Sequence, residues 1–239
     1  MDLLGLGIGV FGLYVAAKRI DKALKAPVRA RGQLASGTPF FQADRAPARG
    51  QTTTTHSGQR ANTMAGPIRV TRKTVRTLDD RLAQIKALAA DGKFDPTVIA
   101  WTRAQLTRKC RGGENGEQWC VPEKDTRAEI SAIFHGLRRD IRYTSDIYSA
   151  DTYAHPRVTL RLKSGDCDDY SSLGAAALMA AGIPARFKVI RTKDSKTWNH
   201  IFIQGAHKGS WFSLDASVPV KPGWEPPPSM VAESRIFAF

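Results

Sequence analysis

Three residues of this 239-residue sequence have types and an order suited to nucleophilic attack on a carbonyl: Cys167, His200 and Asp215. A cysteine attacks as a thiolate, and a histidine can take and return the proton. A carboxylate can orient the imidazole and stabilise its charged form. The chemistry predicted by this set is acyl transfer through a thioester. The prediction rests on the order of the three residues and on the elements expected to carry them.

Cys167 lies in the segment SGDCDDY (residues 164–170), where we expect a helix to begin. A helix N-terminus carries partial positive charge and unpaired N–H groups, which lower the pKa of a thiol and can bind an oxyanion. The backbone N–H of Asp168 is the candidate oxyanion donor. The flanking carboxylates act in the opposite direction, because negative charges that face a thiol raise its pKa. A small buried core cysteine is therefore the alternative interpretation of Cys167.

His200 lies in the segment WNHIFI (residues 198–203), which predicts a strand with Trp198, His200 and Phe202 on one face. Asp215 ends the next apolar segment, WFSLD (residues 211–215). A hairpin between the two strands would bring Asp215 to the imidazole of His200. Trp198 either roofs a cleft beside His200 or packs in the core.

The elements that must position these residues form one helix followed by antiparallel strands. The helix is predicted to begin near Cys167 and to end at Gly182, because Pro184 cannot continue it. The three strand-like segments that follow are Ala185–Thr192, Trp198–Gln204 and Ser210–Ala216. This order predicts an α+β fold.

Helical patterns also precede this unit. A helix–break–helix pattern spans Leu78–Lys109, with the break near Gly92. Another helix is predicted for Asp125–Ile141, where Thr126 and Glu129 fit a capping box.

The sequence contains three cysteines, too few for a disulfide framework. Cys110 and Cys120 bracket a polar turn, and they either form a local disulfide in an oxidising compartment or stay reduced in the cytosol. A structural zinc site needs four ligands, and no second cysteine pair is present to supply them. We therefore predict no metal site. If Cys110 and Cys120 pair, Cys167 is left as a candidate nucleophile.

The net charge of +14 is concentrated at the N-terminus. Residues 1–78 hold 13 Lys and Arg against three acids, whereas residues 79–239 hold 23 against 19. Residues 26–66 lack hydrophobic periodicity and predict a linker that cannot bury enough surface to fold alone. The basic excess favours non-specific contact with nucleic acid or anionic lipid, and a solvated arm is the alternative.

Residues 3–17 form an apolar, glycine-rich run followed by Lys and Arg. A secretory signal has the reverse order, so we expect no cleavable signal peptide. The run is also shorter than the roughly 20 residues of a comfortable bilayer span. Three interpretations stay open: a short membrane anchor with a cytoplasmic basic flank, an assembly helix in close contact with another helix, or a helix buried against a partner subunit.

Several motifs in the C-terminal part resemble the core of the transglutaminase-like superfamily. They are GDCDDY (165–170), AAGIPAR (180–186), Asn199-His200 and WFSLD (211–215), preceded by IRY (141–143) and VTL (158–160). The resemblance implies a papain-like α+β fold in which the helix bearing Cys167 packs on an antiparallel sheet. It also implies that Cys167 is the nucleophile, His200 the base and Asp215 the third member, without a cofactor.

Together with the patterns described above, the resemblance predicts four segments along the chain. We expect an apolar helix at residues 1–25, a basic linker at 26–66, a helical subdomain at 67–124 and a transglutaminase-like catalytic domain at 125–239. The expected activity is acyl transfer on amide bonds of a protein or peptide, with a protease or amidase favoured over a cross-linking enzyme. Small bacteriophage proteins of this kind make a virion or a membrane-associated assembly the expected setting. The alternative is a catalytically silent structural protein that retains the fold.

Overall fold

The computed structural model describes residues 68, 70–71, 75–111, 117–146 and 151–239. The chain divides into two units, Met1–Val70 and Thr71–Phe239, and the described helices and strands all lie in the second. The predicted N-terminal helix (residues 1–25) and the predicted linker (26–66) lie outside the described residues.

The helices of Thr71–Phe239 all begin at a side chain that accepts a hydrogen bond from an N–H of the first turn, as N-caps do. The described helices are α1 (Leu78–Gly92), α2 (Pro96–Leu106), α3 (Thr126–Asp140), α4 (Pro156–Leu162) and α5 (Cys167–Ala180). Their caps are Thr77, Asp95, Asp125, His155 and Asp166. Among the described residues, no helix combines the length and the apolar character that a bilayer crossing requires.

The predicted capping box at the start of α3 is wrong. Asp125 is the cap, since its carboxylate accepts the N–H of Ala128 at 3.0 Å. Thr126 is instead the first residue of the helix. Two adjacent residues with capping side chains compete for the same donors, and the sequence pattern alone selected the wrong one.

The strands form one antiparallel sheet and two short ladders within the described part of the chain. They are β1 (Lys109–Arg111), β2 (Glu117–Trp119), β3 (Arg142–Tyr143), β4 (Ser164–Gly165), β5 (Ala185–Thr192), β6 (His200–His207), β7 (Ser210–Leu214) and β8 (Val231–Ala238). The large sheet has the order β7-β6-β5-β8, and all its neighbours are antiparallel.

The two-residue turn between β6 and β7 sets the register that matters for the site. Lys208 and Gly209 both have positive φ, +48° and +76°, which is typical of the hairpin turn that matches the twist of the strands. His207 therefore pairs with Ser210, and the ladder runs back until Ile203 pairs with Leu214. The start of β6 and the end of β7 lie side by side as a result.

Helix α5 lies at the centre of the core. Its residues 175–178 are fully buried, and it packs on β6 and β5 on one side and on α1, α2, α3 and α4 elsewhere. The approach to the sheet is close at Gly174, where an added Cβ would lie 2.5 Å from Cδ1 of Ile203. A cysteine-bearing helix packed on an antiparallel sheet is the predicted α+β arrangement, and this prediction is confirmed.

Two features of the fold go beyond the sequence-based expectations. β8 pairs with β5 along the edge of the sheet, although only three strands were predicted after the cysteine helix. Cys110 and Cys120 form a disulfide across the β1–β2 hairpin, with their Cα atoms 5.0 Å apart. This pairing resolves the alternative that the sequence left open.

Candidate active site

Cys167 is the first residue of α5, directly after the cap Asp166. The Ser171 hydroxyl, one turn later, lies 2.7 Å from the carbonyl oxygen of Cys167 and 3.2 Å from that of Ile201. This contact ties the first turn of α5 to β6. The backbone of Ile201 also lowers the pKa of the Cys167 thiol. Local helix geometry and the adjacent strand thus hold the thiol in place from two sides.

The electrostatics around the thiol do not favour a thiolate at rest. Burial of the thiol and the charges of Asp166 and Asp168 raise the pKa of Cys167 well above its usual value, and the hydrogen bond from Ile201 offsets only part of this effect. Burial, together with the charges of these acidic residues, therefore acts against the effect of the helix N-terminus on the pKa of Cys167. Attack on a carbonyl from this site requires a base that removes the proton from the thiol.

His200 and Asp215 form the hydrogen-bonded pair that the sequence predicted. Nε2 of His200 lies 2.6 Å from Oδ2 of Asp215, and the Ser217 hydroxyl donates to the other carboxylate oxygen at 2.8 Å. Asp215 is only 2% exposed. Because Asp215 occupies Nε2, the other ring nitrogen, Nδ1, is the one available for a thiol proton.

The charge state of His200 depends on this pair. Burial by itself would lower the pKa of His200, but the charge of Asp215 and the hydrogen bond to it outweigh burial, and the pKa is raised. The Asp215 carboxylate thus favours the imidazolium form. A histidine in this setting can accept a proton and retain it until a leaving group needs it.

One cleft of about 210 Å³ is lined by both Cys167 and His200. Cys167, His200 and Trp198 all line it, so Trp198 contributes to the cleft wall while also packing against the buried core. The opposite wall comes from α1, whose residues Leu78, Leu82 and Ile85 face the same space. No local sequence pattern of α1 indicates that it contributes to the site.

The candidate oxyanion donor is engaged in a cap. The N–H of Asp168 donates to Oδ1 of Asp166 at 3.1 Å. An oxyanion that uses this donor would have to share it with the carboxylate. This competition is a consequence of placing aspartates on both sides of the nucleophile.

Asp166, Asp168 and Asp169 place carboxylate oxygens within 4.8 Å of one another. These are the described residues that could hold a cation near the nucleophile. Asp169 already accepts the N–H of Ala154 at 2.8 Å, and burial raises its pKa to about 7. Burial and the neighbouring Asp166 likewise raise the pKa of Asp168 well above its usual range.

Several residues of the site were missed by sequence reasoning. Ser171 and Ser217 position Cys167 and Asp215, and Arg81 and Tyr153 line the cleft. Ser171 lies one helical turn after Cys167, and Ser217 lies two residues after Asp215. These spacings could have predicted that the two serines position the site residues. Nothing local signals the cleft role of Arg81, since its helix reaches the site only through tertiary packing.

Residues 116–216 match the family model described as the transglutaminase-like superfamily. The matched segment contains Cys167, His200 and Asp215. None of the curated proteins matches the chain.

Solved structures resemble this chain only weakly. A provisionally assigned protease from Parabacteroides distasonis ATCC 8503 is 18% identical, with 57% of this chain and 26% of that chain covered and a TM-score of 0.40. A provisionally assigned cysteine protease from Cytophaga hutchinsonii is 18% identical, with 61% and 53% covered and a TM-score of 0.33. LapG of Legionella pneumophila is 14% identical, with 66% and 87% covered and a TM-score of 0.41.

The chain thus spans about a quarter of the length of the first of these proteins and about half of the second. Likenesses of this strength assign no activity. The family model covers less than half of the chain, and the part that it matches holds α5 and the strands on which α5 packs.

Proposed function

We propose that the protein is a cysteine peptidase or amidase that works by acyl transfer. The observation that carries this proposal is the 2.6 Å contact of Asp215 with His200, which lines the same cleft as Cys167, a thiol at a helix N-terminus. A nucleophile, a base and an orienting carboxylate are the groups that amide cleavage needs. The transglutaminase-like family match over residues 116–216 supports the same chemistry.

The proposed reaction begins with a neutral thiol. Nδ1 of His200 takes the proton as the sulfur of Cys167 bonds to the carbonyl carbon, and the π electrons move to the oxygen. When the tetrahedral intermediate collapses, the C–N bond breaks and His200 gives its proton to the leaving amine. Water then attacks the thioester with His200 as base, and the C–S bond breaks to release the acid. First-turn N–H groups of α5 stabilise the oxyanion in both steps.

The test is site-specific alkylation. Iodoacetamide is added near neutral pH, and adducts are mapped by mass spectrometry over time. We expect iodoacetamide to alkylate Cys167, and His200→Ala to slow this alkylation by about tenfold or more, because a general base is lost. His135→Ala is the matched control, since His135 is an exposed histidine of α3 that does not line the cleft. An alkylation rate of Cys167 that His200→Ala leaves unchanged would rule out the enzyme proposal.

A catalytically silent structural protein is the second candidate. The raised pKa of Cys167, caused by burial and two adjacent aspartates, favours it over a pre-formed thiolate. The two candidates differ in their response to His200→Ala. In a silent protein the variant leaves the alkylation rate unchanged, whereas in an enzyme it slows the reaction.

The proposed setting is a larger assembly such as a phage particle, with residues 1–25 binding a membrane or a partner subunit. The basic residues of 26–66 supply non-specific contacts with nucleic acid or anionic lipid. This proposal is supported by the apolar run and the charge distribution of the sequence. Vesicle flotation of the full chain is compared with that of a chain beginning at Gly66. Equal flotation would contradict membrane binding by the N-terminal segment.

A further inference from the structure

We propose that β8 is a self-association edge, at which this chain pairs with a second copy of itself as two antiparallel strands with Ser234 on the two-fold axis. This proposal goes beyond the acyl-transfer function and does not depend on it, since β8 does not line the cleft. The observations behind it concern the open edge of β8, its two charges and the register that these charges select.

β8 is the edge strand of the large sheet and spans eight residues, Val231–Ala238. One side of the strand pairs with β5. On its other side, the described part of the chain supplies no backbone hydrogen bond to residues 232–238. The strand at the opposite edge, β7, differs, because the N–H of Gly223 donates to the carbonyl oxygen of Ser213 at 2.7 Å. β8 is therefore the edge to which another strand can add.

The side chains of β8 are not those of a protected edge. Proteins commonly protect an edge strand with proline, or with lysine side chains that repel an approaching strand. Residues 232–238 contain neither of these. Their charged residues are one acid and one base, Glu233 and Arg235, and both are exposed. Such a pair of charges repels a second copy of the strand in some registers and attracts it in another.

The possible registers of two β8 strands are few. Residues that face each other in an antiparallel ladder direct their N–H and C=O groups alike, so the two-fold axis must pass through a residue position. With the axis on Ser234, Glu233 of each copy faces Arg235 of the other. With the axis on Glu233 or on Arg235, two like charges face each other, which is destabilising. The charges therefore select Ser234.

The same register also matches the apolar residues. It places Val231 opposite Phe237 of the second copy, and Ala232 opposite Ile236. Ile236 is 44% exposed in the single chain, and this pairing would cover part of it. Cross-strand pairs of apolar residues and of opposite charges are the contacts that stabilise a sheet. Every position from 231 to 237 thus faces a residue of matching chemistry.

The ion pairs within one chain leave atoms for the pairs between copies. Arg191 donates two hydrogen bonds to Glu233, and both end on Oε1, so Oε2 has no partner among the described residues. Arg235 uses Nη2 to bind Asp79 at 3.2 Å, which leaves its Nε and Nη1. Arg235 of one copy can therefore bind Glu233 of the other without breaking either contact.

The test is position-specific disulfide formation between full-length chains. Ser234→Cys places a thiol on the proposed axis, where the two Cα atoms lie about 4.5–5.5 Å apart, within the range of a disulfide. Ala232→Cys is the matched control, since this position is also exposed and lies on the same face of β8. Its two copies would be about 13 Å apart or more, which is too far for a disulfide.

Diamide is the oxidant, and it takes up the two electrons and two protons that two thiols lose. Cross-linked chains are followed over time by non-reducing electrophoresis, with the wild-type chain as the background for Cys167. We expect Ser234→Cys to cross-link about tenfold faster than Ala232→Cys, or more. Equal rates in the two variants, or no cross-linking above the background, would overturn the proposal.

A second experiment tests the register by charge reversal. Glu233→Arg and Arg235→Glu are each combined with Ser234→Cys, so that like charges face each other in either homodimer. We expect each variant alone to cross-link about tenfold more slowly than Ser234→Cys. A mixture of the two variants should form the mixed dimer, identified by its intact mass, at the original rate, because opposite charges face each other again.

The mixture also controls for damage to the fold, because a variant that is merely destabilised does not regain its rate when mixed. Urea unfolding of each variant gives the same check, and we expect small changes, since both altered side chains are exposed. A mixed dimer that forms no faster than the homodimers would contradict the Ser234 register and overturn the proposal. Alkylation of Cys167 is measured separately, so that result leaves the enzyme proposal standing.

Discussion

At the residue scale, the acids of this site have opposite effects on the two groups that the proposed reaction uses. Asp215 raises the pKa of His200 and so strengthens the base, whereas Asp166 and Asp168 raise the pKa of the Cys167 thiol and weaken the nucleophile. Because the pKa of Cys167 is raised, we assign a neutral thiol to the resting site. Because the pKa of His200 is also raised, we assign His200 as the general base. It also means that the reactivity of Cys167 should respond strongly to Asp215.

Replacement of Asp215 by Asn tests this dependence. We expect the pKa of His200 to fall, because burial then acts without the opposing charge, and the alkylation rate of Cys167 to fall about tenfold or more. Ser217→Ala, which removes one hydrogen bond but keeps the carboxylate, should have a smaller effect. The pKa is measured by NMR titration of the His200 ring. An unchanged pKa in Asp215→Asn would contradict the assignment.

The contact between His200 and Asp215 also affects the stability of the folded protein, and the raised pKa of His200 determines how this effect changes with pH. A histidine with a higher pKa in the folded state contributes stability below its unfolded pKa of about 6.5, and this contribution is lost as pH rises through the folded pKa. Asp215→Asn should therefore cost more stability at pH 5.5 than at pH 9. Urea unfolding at the two pH values provides the comparison.

At the scale of elements, the site depends on how closely α5 lies against β6. Gly174 allows this approach, since an added Cβ would lie 2.5 Å from Cδ1 of Ile203 and 3.1 Å from Cδ1 of Leu137. Ser171 then links the first turn of the helix to the strand that carries His200. A change in this spacing moves the sulfur relative to the imidazole.

We expect Gly174→Val to lower the free energy of unfolding by about 1–3 kcal/mol, the usual cost of overpacking a core. Cys167 alkylation should slow in the same variant, because the displaced helix separates the thiol from its base. Ala180→Val, at the partly exposed end of the same helix, tests for the effect of valine on helix formation alone. The two variants are compared by urea unfolding, and equal losses would disprove the close-approach argument.

At the scale of the whole molecule, the site draws on segments that are distant in sequence. The cleft needs α1, the loop before α4, the start of α5 and the start of β6. The Cys110–Cys120 disulfide closes the hairpin between α2 and α3, which belong to the helical layer around α5. Disulfides persist in oxidising compartments. The number of free thiols in the purified protein therefore tests whether Cys110 and Cys120 are paired.

We expect the unfolded, unreduced protein to have one titratable thiol per chain, that of Cys167, and three after reduction. Reduction should also lower the free energy of unfolding by about 2–3 kcal/mol, as the chain-entropy model gives for a loop of this size. The double variant Cys110→Ala, Cys120→Ala should be insensitive to reductant. Three thiols before reduction would contradict the pairing.

Much of the site could be predicted because its parts are local. Cys167 stands between a helix-capping aspartate and an apolar run, so the start of α5 was predicted correctly, and β5 has the predicted bounds, Ala185–Thr192. β6 begins at His200, two residues later than predicted. Asn199 instead forms hydrogen bonds with Thr192, the last residue of β5.

The sequence by itself determined the type and order of the three chemical groups, because a nucleophile, a base and an acid are properties of side chains. It also determined the cysteine helix and the strand that follows it, because their apolar patterns and end signals are contiguous. Only the tertiary structure decided the α1 wall of the cleft, the disulfide and the edge strand β8. β8 is almost entirely exposed and has no apolar alternation to reveal it, so its backbone pairing with β5 alone defines it. These contacts join residues far apart in sequence, and no local pattern encodes a distance across the fold.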